Sequence, residues 1–293
     1  MSQKRTVLVT GTSDGSLGSA LAIAMKDQDW RVFASARNLA KLGQVKAAGI
    51  DVVQMDIGSE ESIKAAVEQV KQLTGGSLDA LINNAGGGYS MPIVHLDIGK
   101  TQQLFELNVF SIIRVTQAFL PLLLESTHGA LLINNTSAAS LLGTGIPFQG
   151  AYAASKAAAS SLTESLRSEL GPFGIRVINM LTGGVKSTFY ANATLPELPA
   201  DSIYNVAKEA IEASMAGKQP VIDKPDAKVW AKQVAADLSQ QKPPYLVVRG
   251  ANAETSRRAS LLPVGTFDSA LKKISGIDVL EARLQKTSYS SKF

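Results

Sequence analysis

The chain contains no cysteine, which excludes disulfides and thiolate chemistry and leaves its redox compartment unmarked. Nowhere do basic residues cluster with interleaved aromatics, and the formal charge of +4 with a pI of about 9.1 is mild. No nucleic acid is therefore expected as a partner. No apolar run reaches the length of a membrane span, so no integral membrane segment is expected either. The opening MSQKRTVLVTG passes directly into a strand-like segment with no room for a signal peptide, and the expectation is a soluble, cytoplasmic protein. The closing Ser291, Lys292 and Phe293 resemble a peroxisomal ending but carry Phe where that signal has Leu. Internal repeats and low-complexity tracts are missing as well.

What is present is a regular alternation. With 293 residues, 45% of them hydrophobic, the chain can bury one large core as a single domain. Short β-branched runs occur at 6–10 (TVLVT), 31–36, 51–56, 78–83, 130–135, 176–181 and 245–250, with helix-length stretches between them. This pattern predicts an α/β fold of βαβ units, a doubly wound parallel sheet covered on both faces. The segment from about 187 to 244 breaks the rhythm with Pro196, Pro199, Pro220 and Pro225 among short amphipathic pieces. It reads as a helical substrate lid inserted into a domain spanning 1–284. Residues 285–293 lack an apolar period and read as a loose tail.

The first run is followed by TGTSDGSLGSALAIAM, a glycine-rich turn opening a helix. Such a turn lets backbone approach a pyrophosphate, whose charge is favoured at a helix start. Gly11, Ser13, Leu17 and Gly18 are the candidate contacts, although Ser16 stands where a glycine is expected. The second run ends ASARN, with Ala36 in place of the acid that would read a free ribose hydroxyl and Arg37 beside it, suited to a 2′-phosphate. That favours NADP as cofactor; Asp14 would oppose the phosphate if it pointed inward, and Arg37 is alternatively a solvated surface residue. Asp56 is placed either to meet the adenine amino group or to cap the helix beginning near Ser59. In GAYAASKAA, Tyr152 and Lys156 lie one helical turn apart and project from the same face.

Taken together, TGTSDGSLG, LINNAG at 81–86, the asparagine in FELNVF, the serine in INNTSAAS and the AYAASK segment closely resemble the short-chain dehydrogenase/reductase family, continuously over about 5–190 and more loosely to 265. The resemblance implies a Rossmann-type fold and an NADP-dependent oxidoreductase. It implies Tyr152 as proton donor in ketone reduction, with Lys156 stabilising the phenolate and binding the nicotinamide ribose. A unit charge at ~4 Å in an effective dielectric of ~20 contributes about 4 kcal/mol, enough to move a phenol by two or three pKa units. Ser137 would hold the substrate oxygen, and Asn108 would orient a water behind Lys156. Asn84, Ala85 and Gly86 would lie along the adenosine ribose. Backbone at Val185 and the Ser187 hydroxyl would address the carboxamide.

Two departures from the family stand out. The family's Pro-Gly after the sixth strand is Thr182-Gly183 here. The serine-to-tyrosine interval is fifteen residues, longer than usual, through extra residues within LLGTGIPF; Ser140, at twelve, is the rival to Ser137. His95 and His128 match no catalytic position of the family and read as loop or surface residues. The lid carries Phe189, Tyr190, Leu195, Leu198, Ile203, Tyr204 and Val206, with Phe148 before the tyrosine. Either these residues shape a pocket for a lipophilic or bulky ketone, or they pack the lid against the body. The overall pattern is similar to the branch holding acyl-dihydroxyacetone-phosphate reductases and steroid-dehydrogenase-like enzymes. A protein of another class, a non-catalytic NADP-binding sensor or scaffold, stays open. The apolar stripes of 101–125 and 152–170 suit a homodimer or homotetramer, and core packing equally.

Overall fold

A computed structural model describes residues 4–141, 146–189, 196–218 and 223–290, with side chains to 286. Seven strands form one parallel sheet: β1 (Thr6–Thr10), β2 (Arg31–Ala36), β3 (Asp51–Gln54), β4 (Ala80–Asn83), β5 (Leu131–Ser137), β6 (Arg176–Thr182) and β7 (Leu246–Arg249). Their spatial order is β3-β2-β1-β4-β5-β6-β7, so each β-branched run became a strand and the chain reverses its direction of travel across the sheet between β1 and β4. A ligand crevice forms at such a switch point.

The helices are α1 (Leu17–Asp27), α2 (Gly43–Ala47), α3 (Glu60–Thr74), α4 (Ile98–Phe105), α5 (Ser111–Leu124), α6 (Gly150–Leu170), α7 (Lys208–Met215), α8 (Ala227–Leu238), α9 (Ala253–Ala259), α10 (Asp268–Ser275) and α11 (Ile277–Ser290). Alternate strand residues feed two cores, as the two-residue side-chain period requires. Val7, Val9, Ile133 and Met180 pack with Leu21 and Met25 of α1 and Trp230 and Val234 of α8. Leu8, Phe33, Leu132 and Val177 pack on the other face with Ile63 and Val70 of α3 and Val115 and Phe119 of α5. A third cluster, Phe148, Leu198, Ala207, Ile211 and Met215, builds the lid, backed by Ile277 and Leu280 of α11.

Two expectations need correction. The lid does not extend to 244, because α8 covers the sheet: Trp230, Ala231, Val234, Ala235 and Leu238 form one helical stripe buried in the main core. Its closing support comes instead from α10 and α11, distant in sequence. The segment after Leu284 is no loose tail as far as Ser290, since α11 continues through it. Glu281, Ala282, Arg283, Leu284, Gln285 and Lys286 are strong helix formers and need no apolar stripe to extend an established helix. The helical stretch Ile98–Leu124 has the length and apolar composition of a membrane span, with half of it buried inside the molecule. Its apolar side is the α5 face already packed under the sheet. Tyr190, Leu195, Pro220, residues 142–145 of LLGTGIPF and the Ser291-Lys292-Phe293 ending lie outside the described residues.

Candidate active site

The crevice begins at the glycine turn. Gly11 has a φ of 71°, and a Cβ there would fall 2.7 Å from the Cα of Ala85, so no other residue fits this turn unstrained. A Cβ on Gly18 would stand 2.4 Å from the Gly11 carbonyl oxygen. Ser16, the apparent irregularity, is the cap of α1: its Oγ accepts from the Ser19 amide and donates to the Gly11 carbonyl, both at 3.1 Å. Ser13 lies in the turn and accepts the Ser16 amide on its carbonyl at 3.0 Å. The amides of Leu17 and Gly18 open α1 without an acceptor among the described residues, the arrangement that attracts an anion.

Asp14 is turned away from this mouth. Its carboxylate accepts the amides of Gly43 and Gln44 at 3.0 and 2.8 Å, capping α2. Arg37 follows β2, exposed, and its guanidinium has no partner among the described residues. Asp56 accepts the Gly58 amide at 3.0 Å, while α3 is capped by Ser59, so the helix-cap alternative for Asp56 does not hold. The residues present thus fit a dinucleotide: a close-approach cradle, two amides open among the described residues, and the exposed Arg37 guanidinium after β2.

Asn84 ties neighbouring strands together through its side chain. Its Nδ2 donates to the Thr10 carbonyl at 2.9 Å, its Oδ1 accepts from Asn135 Nδ2 at 2.9 Å, and its amide donates to Thr10 Oγ1. The Ala85 amide shares that hydroxyl at 3.0 Å. The motif asparagine thus braces β1, β4 and β5 where they meet. Asn108 is a brace of the same kind. It sits in a π-helical turn, Glu106–Phe110, that joins α4 to α5. Its Oδ1 accepts the Gly87 amide at 2.9 Å, and its Nδ2 donates to the Gly87 carbonyl and to Ser155 Oγ at 3.0 and 2.9 Å. Both Nδ2 protons are engaged, so the side chain clamps the loop after β4 against α6, while Oδ1 keeps a second acceptor site.

That clamp carries the reaction end. Gly86 lies against it, an ideal Cβ falling 3.0 Å from Asn108 Oδ1 and 3.4 Å from Lys156 Nζ. Lys156 is 6% exposed, and its ammonium donates to the Asn135 carbonyl at 2.9 Å. Burial pushes its pKa down to about 8. Tyr152, one turn earlier on α6, is half-buried with its ring edge-on to Phe189 at 5.7 Å between centroids. The Tyr152 carbonyl accepts Ser155 Oγ at 2.7 Å, which links the tyrosine's turn to Asn108. Ser137 closes β5, and its Oγ accepts the Ala139 amide at 3.1 Å while keeping its own proton to donate. Ser140 is buried, its hydroxyl without a partner among the described residues.

The loop after β6 closes the site. Val185 packs against the main core, Ser187 Oγ accepts the Phe189 amide at 3.4 Å, and the Thr188 amide reaches the Gly15 carbonyl at 3.4 Å. Phe189 lies over Gly88, where a Cβ would stand 2.7 Å from its ring. Phe148 and Leu198 are buried in the lid's own core, and Tyr204 stands edge-on to Phe148 at 5.5 Å, whereas Ile203 and Val206 are exposed. His95 neighbours Tyr204, with ring centroids 6.1 Å apart. His128 lies at the opposite sheet end, its Nδ1 3.1 Å from Asp79 Oδ1. Burial raises that carboxyl, but bonds from Ser126, Thr6 and His128 outweigh burial and hold its pKa below the ordinary value. Sequence reasoning missed Asn135 and Ser155, and met Thr182 only as the residue in place of the family's proline. The one available signal was the polar run Asn134-Asn135-Thr136-Ser137 closing an apolar strand.

A glycine cradle at a switch point, with a tyrosine and a buried lysine one turn apart, defines a dinucleotide-type oxidoreductase fold. The chain belongs to the short chain dehydrogenase family, whose model matches residues 5–198. It is 41% identical over 288 residues to a short-chain dehydrogenase/reductase of Pestalotiopsis microspora, covering 97% of this chain and 99% of that one. It is 30% identical to the NADPH-dependent 1-acyldihydroxyacetone phosphate reductase of Schizosaccharomyces pombe, covering 94% and 95% of the two chains. Among solved structures, a short-chain dehydrogenase from Streptomyces avermitilis superposes with a TM-score of 0.74 at 25% identity, over 100% of this chain and 98% of that one. One from Burkholderia cenocepacia in complex with NADP gives 0.69 at 25% identity, over 92% and 98%.

Proposed function

We propose that the protein reduces a lipophilic or bulky ketone to a secondary alcohol, or oxidises the alcohol in reverse, with NADP as cofactor and Tyr152 as general acid/base. The observation that carries this reading is the buried Lys156 ammonium, seated between the Asn135 carbonyl and Gly86 one turn from Tyr152. Gly11, Ser13, Leu17 and Gly18 would hold the pyrophosphate, Arg37 the 2′-phosphate, Asp56 the adenine, and the backbone at Ala85 and Gly86 the adenosine ribose. Lys156 would hold the nicotinamide ribose, and Val185 and Ser187 the carboxamide. Bound there, the cofactor supplies or takes up hydride.

The chain's own residues manage the proton. Tyr152 gives its phenolic proton to the carbonyl oxygen, and the Lys156 cation lowers the cost of the phenolate left behind. With its pKa near 8, Lys156 is charged at neutral pH and close to its titration. Ser137 donates to the same substrate oxygen and stabilises the charge that develops on it. Asn108 and Ser155 fix the loop and helix that hold these groups in register.

NADP over NAD is supported by Ala36 and Arg37 at the end of β2, by the outward turn of Asp14, and by likeness to an NADPH-dependent reductase. The apolar lid core and the Phe189 cover support a bulky, lipophilic substrate. A homodimer or homotetramer belongs to the same proposal, supported by exposed Phe110, Leu124 and Phe173 and checked by light scattering. The test of cofactor and reaction is fluorescence titration with NADPH and NADH, then a ketone panel followed at the nicotinamide absorbance. Tighter NADPH binding and turnover of bulky ketones are expected. A preference for NADH contradicts the cofactor assignment, and binding without turnover of any ketone favours the sensor or scaffold.

A further inference from the structure

Beneath the crevice, three side chains hydrogen-bond in one unbroken direction across four neighbouring strands. Thr182 Oγ1 donates to Asn135 Oδ1 at 2.6 Å, Asn135 Nδ2 donates to Asn84 Oδ1 at 2.9 Å, and Asn84 Nδ2 donates to the carbonyls of Thr10 and Gly11 at 2.9 and 3.4 Å. The direction is forced. Two carbonyls face one end of the Asn84 amide, so that end must be nitrogen, its oxygen must accept, and the facing Asn135 atom must be nitrogen in turn. Asn135 therefore presents its oxygen to Thr182, and only a donor at position 182 completes the line.

The two ends of the line are functional loops. At one end Gly11 turns into the mouth of α1. At the other, Thr182 is the last residue of β6 before Gly183, whose amide is tied to the Arg249 carbonyl at 2.8 Å, and before Val185 and Ser187. In the middle, the Asn135 carbonyl carries Lys156 Nζ. Thr182 stands where the related family has proline, and a proline there has no hydroxyl to give.

We infer that Thr182 and Asn135, with Asn84, form a strut that fixes the loop after β6 relative to the glycine turn, and that both are positioning residues for the nicotinamide half of the cofactor. This rests on the dinucleotide reading of the site. In this chain a buried side-chain bond does the work of a rigid ring: it anchors the loop start to β5 instead of restricting its backbone angle.

The test uses the full chain and two probes, NADPH and 2′-phospho-ADP-ribose, which lacks the nicotinamide. Thr182→Val keeps the shape and removes the donor, leaving the Asn135 oxygen buried and unpaired. It should weaken NADPH about tenfold while changing the fragment by less than about twofold. Thr182→Ser, which restores a donor, should return NADPH affinity to within about threefold of the parent. Thermal melting checks folding, and should Thr182→Val fold poorly, Thr182→Ala is read by the same criteria. Equal affinity of parent and folded Thr182→Val for NADPH overturns the strut, and so does an equal loss for both probes. Failure of the parent itself to bind NADPH overturns the dinucleotide reading and the strut with it.

Discussion

Lys156 is held in the fold against its own solvation. Its ammonium has one backbone carbonyl for a partner and no carboxylate among the described residues, and burial brings its pKa from 10.5 to about 8. An unfolded lysine keeps its proton to a higher pH, so the unfolded chain binds more protons between about pH 8 and 10.5, and this site's contribution to stability rises across that window. Below it the site costs about 3 kcal/mol. Lys156→Met is therefore expected to stabilise the cofactor-free protein at pH 7 by about 1–3 kcal/mol in denaturant melts while losing reductase activity. An unchanged or lower midpoint would show that burial is not the cause of the shift. At the other end of the crevice, the Arg37 guanidinium has no partner among the described residues, so its removal reads chiefly the ligand. Arg37→Ala should lower kcat/KM for NADPH by about tenfold or more and leave NADH nearly unchanged.

The elements repeat the lesson that position alone does not tell what a residue bonds. The seven strands were legible because a parallel sheet buried on both faces demands uninterrupted β-branched runs, such as TVLVT. The lid boundary was not, because α7, with Ile211 and Met215, and the amphipathic α8 lie close together in sequence while packing on different cores. Trp230→Ala should therefore cost about 3–5 kcal/mol, whereas Ile203→Ala on the exposed lid surface should stay within about 0.5 kcal/mol. Comparable small losses in urea unfolding would return α8 to the lid. The candidate site was legible in its residue types, less so in their bonds. Asn84 and Asn108 stand where the motifs put them, yet each amide also braces neighbouring backbone and side chains, contacts that arise only once β4, β5 and α6 meet. Asn135 and Thr182 carry no motif, and their pairing depends on the register that sets β5 beside β6.

At the scale of the molecule, two apolar cores hold the sheet while one polar edge is left to do chemistry. That edge gathers residues from β1, β4, β5, α6 and the loop after β6, so no single segment contains the site. Among the described residues the lid's core forms a cluster apart from both sheet cores, with Phe148 leading from it to the start of α6. The proposed reduction depends on Tyr152 delivering a proton from beside the buried Lys156 cation. The direct measurement is single-turnover reduction by Tyr152→Phe, alongside NADPH titration of the same variant. NADPH affinity within about threefold of the parent and reduction slowed by about a thousandfold or more are predicted. Undiminished reduction by a variant that has no phenolic proton to give would contradict the account.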